Sequence, residues 1–108
     1  MPRVVFSPRA EEQMVEALAF TFERFGEPKY LEYLALIRFA IESLEKDSAA
    51  GRQRPEIHPD AWTLHIARGT KRARHLLLYR VRGAVEVGAF LYDAMDLPRQ
   101  RPAEWDAP

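Results

Sequence analysis

Through residues 8–46 apolar side chains recur at three- and four-residue steps, and through residues 62–91 the period falls to two. The first spacing places side chains on one face of a helix, the second on one face of a strand. Arg3 to Phe6 is short and carries Val4 and Val5, a strand signal. Ser7-Pro8 then opens a helix: Ser7 can cap, and Pro8 suits a first helical position where the missing N–H costs nothing. Ala10, Met14, Leu18, Phe22 and Phe25 form the apolar stripe of this helix, and Gly26 ends it. Pro28 opens a second helix with Tyr30, Leu34, Ile37, Ile41 and Leu44 as its stripe. The short Gly-Glu-Pro break predicts an antiparallel helical pair.

Residues 46–51 read as a loop. Trp62 to Arg68 alternates, with Trp62, Leu64 and either Ile66 or Ala67 on the core face. Gly69 to Arg72 reads as a turn, and Arg74 to Arg82 as a long strand. That strand is apolar at both parities, which predicts a central position with both faces covered. Gly83-Ala84 reads as a hairpin turn into a strand from Val85 to Leu91. The fold class is therefore α+β: an antiparallel sheet in β-α-α-β-β-β order, with an N-terminal helical hairpin packed on one face. Residues 1–93 form the domain, and the prolines and mixed charge of 94–108 predict an irregular C-terminal tail.

Composition narrows the function classes. At 108 residues one domain is expected. There is no cysteine, so no disulfide framework or cysteine metal site forms, and the three histidines show no metal-ligand spacing. Neither a metal nor a cofactor is expected. No apolar run reaches the ~20 residues of a membrane span, and the N-terminus lacks the apolar region of a signal peptide. A cytoplasmic protein without membrane contact is the expectation. Net charge is zero but unevenly spread: residues 1–48 carry six basic and nine acidic side chains, residues 49–108 ten and seven. Within 51–82, Arg52, Arg54, Arg68, Lys71, Arg72, Arg74, Arg80 and Arg82 face only Glu56 and Asp60. A basic half on a neutral protein suggests a face that meets an anionic partner; solvated strand edges that collected arginine are the alternative.

Both helices also carry apolar residues beside their stripes: Val15, Phe20, Leu31, Leu36 and Phe39. A hairpin covering one sheet face needs one stripe per helix, so the surplus suggests a second buried surface or a wide core face.

Several segments resemble one family. Val4-Val5-Phe6-Ser7-Pro8-Arg9-Ala10-Glu11 resembles the start of a ParE-like toxin. Ala40 to Leu44 followed by Gly51-Arg52 resembles the family's exit from its second helix. Arg74-His75-Leu76-Leu77-Leu78-Tyr79-Arg80-Val81 is similar to its His-x-x-x-Tyr-Arg-Val strand, and Leu91 to Arg99 to its Met-Asp ending. In order and spacing, the chain is identified as a member of the RelE/ParE toxin superfamily of type II toxin–antitoxin systems, in its ParE-like, plasmid-stabilisation branch.

The resemblance implies one of two activities. ParE-like members inhibit DNA gyrase by binding; RelE-like members cut messenger RNA on the ribosome. Cleavage needs a base, an acid and cations converging on one phosphate. The candidates are His65, Arg52, Arg54 and Arg80. Strand parity places His75, Leu77, Tyr79 and Val81 on one face and Arg74, Leu76, Leu78, Arg80 and Arg82 on the other. Asp93 and Asp96 stand where the ribonuclease branch tends to carry basic residues, and either is a candidate partner for Arg80. His75 and Tyr79 also read as packing residues, with the Tyr79 hydroxyl tied to backbone.

The resemblance thus implies a toxin that binds a protein target, with Arg68, Lys71, Arg72, Arg74, Arg80, Arg82, Asp96 and Arg99 as candidate target contacts. It implies a cognate antitoxin as partner, with Val15, Phe20, Leu36 and Phe39 as its receiving groove. DNA would be met only through the antitoxin, and a homodimer is a further assembly to test. The alternatives are a ribosome-dependent endoribonuclease and a non-toxic binding module on the same fold.

Overall fold

The computed structural model describes residues 2–107. Strand β1 (Val4–Phe6) runs into helix α1 (Pro8–Phe25), and helix α2 (Glu27–Lys46) follows after a single residue. Ser7 caps α1 by accepting from the Ala10 amide at 3.1 Å. Gly26 makes the sharp link between helices at φ +83°, a conformation costly for any other residue, and its amide closes α1 on the Phe22 carbonyl. Four strands follow: β2 (Arg52–Gln53), β3 (Trp62–Arg68), β4 (Lys71–Arg82) and β5 (Ala84–Tyr92).

The sheet order is β1-β5-β4-β3-β2. Neighbours β2 to β5 pair antiparallel, and β1 joins the edge parallel to β5, with Val5 opposite Glu86. The α+β class and the hairpin on one face are as expected. The structure adds the short strand β2 and makes the sheet mixed, because β1, separated from β5 by the helical hairpin and three strands rather than a tight turn, joins it in parallel. The turns are also tighter than expected: β4 begins at Lys71 and β5 at Ala84.

α1 packs over β1 and β5, and α2 over β3. Between helices and sheet lies a core of Ala10, Tyr33, Ile37, Ala40, Leu44, Ile66, Leu77, Tyr79, Val85, Val87 and Phe90. α2 is rotated from the expected stripe, so Tyr33 and Ala40 turn fully inward while Tyr30 and Ile41 sit at the margin. Ile66 rather than Ala67 takes the core position on β3. Tyr79 lies at 0% exposure, its hydroxyl donating to the Ser48 carbonyl at 2.8 Å and accepting from the Gly51 amide at 3.1 Å.

The opposite face carries its own core: Ile57, Ala61, Leu76, Leu78, Ala89 and Leu91, covered by Leu97 and Trp105. Residues 94–107 are thus part of the packed domain, with 3₁₀ turns at Leu97–Gln100 and Ala103–Asp106. The segment after residue 93, expected as an irregular tail, packs its Leu97 and Trp105 on the sheet. The tail is fastened by Arg9, which donates to the Gln100 carbonyl (2.8 Å) and side chain (3.0 Å). Buried His58 accepts from the Asp60 amide at Nδ1 and so donates from Nε2 to the Trp105 carbonyl at 3.2 Å.

A bulge lets β5 serve both cores. Leu78 pairs with Ala89 and Tyr79 with Val87, leaving Gly88 over. The extra residue switches parity, so Val85 and Val87 face the helices while Ala89 and Leu91 face the tail. Only glycine fits there: a Cβ on Gly88 would come within 2.5 Å of Pro102 and 2.8 Å of Trp105.

Candidate functional site

At one end the hairpin and sheet diverge. β1 stops at Phe6, and side chains of α1 and its cap seal the edge it leaves: Ser7 Oγ donates to the Gly88 carbonyl, and Gln13 Oε1 accepts from the Phe90 amide at 2.9 Å. Beyond that seal lies a hollow of about 880 Å³ between α1, α2 and the ends of β4 and β5. Ala17, Phe20, Tyr33, Leu36, Phe90 and Tyr92 make its surface mainly apolar.

Its floor holds a part-buried polar contact between Tyr33 and His75. The Tyr33 hydroxyl and His75 Nδ1 share a hydrogen bond of 2.6 Å, and the imidazole stacks on Phe90 with centroids 5.1 Å apart. Burial lowers the His75 pKa from its ordinary 6.5, with Asp93 opposing and His65 reinforcing. Burial also pushes the Tyr33 hydroxyl upward. Both groups are therefore neutral at pH 7, and the floor presents little charge.

The rim is basic: Lys29, Lys71, Arg72 and Arg74 line the hollow against Glu16 and Glu32. Lys71 bonds Glu32 at 3.1 Å and, with the charge of Lys29, holds that carboxyl below its usual range. Arg74 bonds Asp93 at 3.1 Å and lies over the Tyr92 ring at 5.2 Å. Apolar floor and cationic rim together suit an amphipathic segment with acidic flanks.

Among the residues expected to form an antitoxin groove, Phe20 and Leu36 line this hollow, whereas Val15 and Phe39 do not. Val15 belongs to a separate outer depression with Phe22 and Tyr30, and Phe39 to another with Leu31, where Arg68 covers its ring at 4.8 Å. The four do not make one groove, because α1 and α2 each expose apolar residues on both flanks of their buried stripe. Phe22 and Phe25, read as core stripe, are 50% and 61% exposed, since the hairpin end runs past the sheet.

The candidate target contacts divide similarly. Lys71, Arg72 and Arg74 rim the hollow, with Arg68 nearby on the β3–β4 hairpin. Arg80 and Arg82 lie toward the other end of β4, while Asp96 and Arg99 pair with each other on the tail at 3.3 Å. Arg80 pairs with neither Asp93 nor Asp96; its Nε donates to Glu86 at 2.8 Å across the β4–β5 ladder.

The ribonuclease candidates do not converge. His65 lies opposite Leu76, so Arg80 is four residues, or about 13 Å, further along β4. Both imidazole nitrogens of His65 are engaged: Nδ1 accepts from Arg72 at 3.1 Å and Nε2 donates to Asp93 at 3.2 Å. Asp93 is raised by desolvation, but the bond and charge of Arg74, then His65, outweigh this and hold it below the usual carboxylate range. Arg52 sits on edge strand β2, and Arg54 is tied to Glu56 and Thr63. These side chains therefore do not gather a base, an acid and cations around one phosphate-sized point.

The architecture is thus that of a small α+β domain: a five-stranded sheet with a helical hairpin lifted from it at one end. Comparison with known proteins gives the same frame a family. Residues 4–97 match the family model described as ParE toxin of type II toxin-antitoxin system, parDE, and the chain belongs to that family. It is 29% identical over 99 residues to Toxin ParE1 of Mycobacterium tuberculosis in strains CDC 1551 / Oshkosh and ATCC 25618 / H37Rv, an overlap of 90% of this chain and 95% of each relative. Its fold also matches a structure titled "Chromosomal ParDE TA system from P. aeruginosa", with a TM-score of 0.68, 17% identity, and coverage of 85% of this chain and 96% of the other. No helix among the described residues is long and apolar enough to cross a membrane.

Sequence reasoning missed Tyr33, Phe90 and Tyr92 as parts of the site. The available signal was the aromatic content at the ends of β5 and α2 in a region whose strands already had covering enough.

Proposed function

We propose that the chain works as the toxin of a type II module, neutralised by a cognate antitoxin and acting by binding a protein target, with DNA gyrase the target that the family suggests. The supporting observation is the hollow: a surface of Phe20, Leu36, Tyr33 and Tyr92 ringed by Lys29, Lys71, Arg72 and Arg74. Apolar segments gain by burial there, and the cations favour partners with acidic flanks. In this reading the antitoxin seats an amphipathic segment in the hollow, and DNA is met only through the antitoxin. Target recognition then falls to the β3–β4 hairpin and its basic residues Arg68, Lys71, Arg72 and Arg74.

The reading is tested with purified protein in a gyrase supercoiling assay. Inhibition that is relieved by the neighbouring gene's product is the expected outcome. Unimpaired supercoiling at stoichiometric excess sinks the gyrase assignment, and transcript cleavage lost on His65→Ala would return the ribonuclease reading.

A further inference from the structure

A second depression, about 660 Å³, lies between β1, the β4–β5 hairpin and the tail. Val5, Phe6, Pro8 and Trp105 give it apolar walls, and Arg3, Arg80 and Arg82 bring three cations against Glu86 and Glu104. Arg80 is the unusual group. It is 9% exposed, its face lies 5.3 Å from the Trp105 ring centre, and its Nε donates to Glu86. Its Nη1 is buried with no acceptor among the described residues. A guanidinium carries five N–H donors in a planar fork, and leaving buried donors without acceptors is costly. Arg82 is held only loosely, 3.6 Å from Asp60, and sits on the same face of β4 as Arg80. The start of α1, at Ser7 and Pro8, points its positive dipole end at the same space.

We propose that this depression is a second recognition site, which draws in a carboxylate side chain of a partner protein through Arg3 and Arg82 at its mouth and seats it on the unused edge of the Arg80 guanidinium once Trp105 shifts to uncover Nη1. The fork of Arg80 matches a carboxylate in two parallel bonds. Glu86 and Glu104 in the wall oppose a doubly charged phosphate more than a singly charged carboxylate. The apolar walls accommodate the stem of a glutamate. This inference rests on the reading of the chain as a protein-binding toxin, yet it can be tested without any toxic activity.

Trp105 provides the probe, because it lies over the guanidinium and Trp62 is the other tryptophan. With Trp62→Phe in the full chain, Trp105 fluorescence is titrated with N-acetyl glutamate amide, its neutral glutamine counterpart and inorganic phosphate. A saturable change with the glutamate compound alone, or with phosphate binding more weakly, is expected. The combined Arg3→Gln and Arg82→Gln variant should weaken it by about fivefold or more. Arg80→Lys keeps the charge but loses the fork, and should lose the response while the protein stays folded. A linear response, an equal response to the neutral compound, tighter binding of phosphate, or no effect of the Arg3 and Arg82 substitutions would overturn the proposal. Because the probe is a small carboxylate, failure here leaves the gyrase and antitoxin results untouched, and the reverse holds too.

Discussion

The helix-covered face of the sheet has two ends built from similar residues and closed to different degrees. At the closed end Ala10, Leu44, Tyr79 and Val85 are each at 0% exposure, and the Tyr79 hydroxyl is bonded twice to the loop before β2. At the open end Phe20 is 56% exposed and Tyr92 42%, around a floor whose polar groups satisfy each other through the Tyr33–His75 bond. Both ends have aromatic and aliphatic surface. What separates them is the length of the partners: β1 stops at Phe6, and the α1–α2 link lies beyond the sheet. A helical hairpin longer than the sheet edge it covers leaves, at no cost to the core, an exposed apolar surface, the one proposed above to seat another chain.

Substitutions sharpen this contrast, beginning with the closed end. Leu44→Ala should cost about 2–5 kcal/mol in urea unfolding, the usual range for a buried leucine with little room to collapse. Trp105→Ala should cost about 3 kcal/mol, because the tail would lose its main cover over Leu78 and Ala89. A loss near zero for Trp105→Ala would show the tail to be dispensable. Tyr79→Phe removes one hydroxyl with two backbone partners, and a loss of about 1–2 kcal/mol is expected. At the open end Phe20→Asp should change unfolding by no more than about 0.5 kcal/mol while weakening antitoxin binding strongly. A Phe20→Asp protein as destabilised as Leu44→Ala would erase the distinction between the two ends.

The smallest expected effect is on pH dependence. The folded-state pKa of His75 lies below its ordinary 6.5, so below 6.5 the unfolded chain takes up a proton that the folded chain refuses. Stability should therefore fall as pH drops through 6.5 and level off once the folded-state pKa is passed. His75→Gln should flatten that part of the profile in unfolding curves measured across the range. Asp93 has the opposite linkage: its folded pKa is depressed, so its contribution is present above 3.8 and is lost as pH falls through the folded value.

Much of this frame was legible in the residues. Ser7-Pro8 and Gly26 mark real helix ends, and the parity of Leu77 and Tyr79 against Leu76 and Leu78 divides the two cores correctly. The phase of α2 was not legible, because Tyr30 and Tyr33 both fit a helical stripe and only the tilt over β3 selects Tyr33. Nor was the bulge at Gly88, since a parity switch leaves apolar residues at odd positions on both sides of it. The tail was hidden by its prolines and charges, although the two-sided apolar pattern of β4 required a cover, which Leu97, Pro102 and Trp105 supply together with Ile57 and Ala61. In the site, the basic run Lys71, Arg72 and Arg74 was visible, as were Phe20 and Leu36. Their convergence was not, because it depends on where the hairpin leaves the sheet.

The most direct test is the affinity of the purified chain for the cognate antitoxin proposed above, measured for wild type, Phe20→Asp and Val15→Asp. Phe20 lines the hollow, whereas Val15 lies in the outer depression. A loss of about thirtyfold or more for Phe20→Asp, with Val15→Asp near wild type, is the result predicted for a buried anchor. Unchanged binding by Phe20→Asp, or an equal loss for Val15→Asp, would contradict the hollow as the antitoxin's seat.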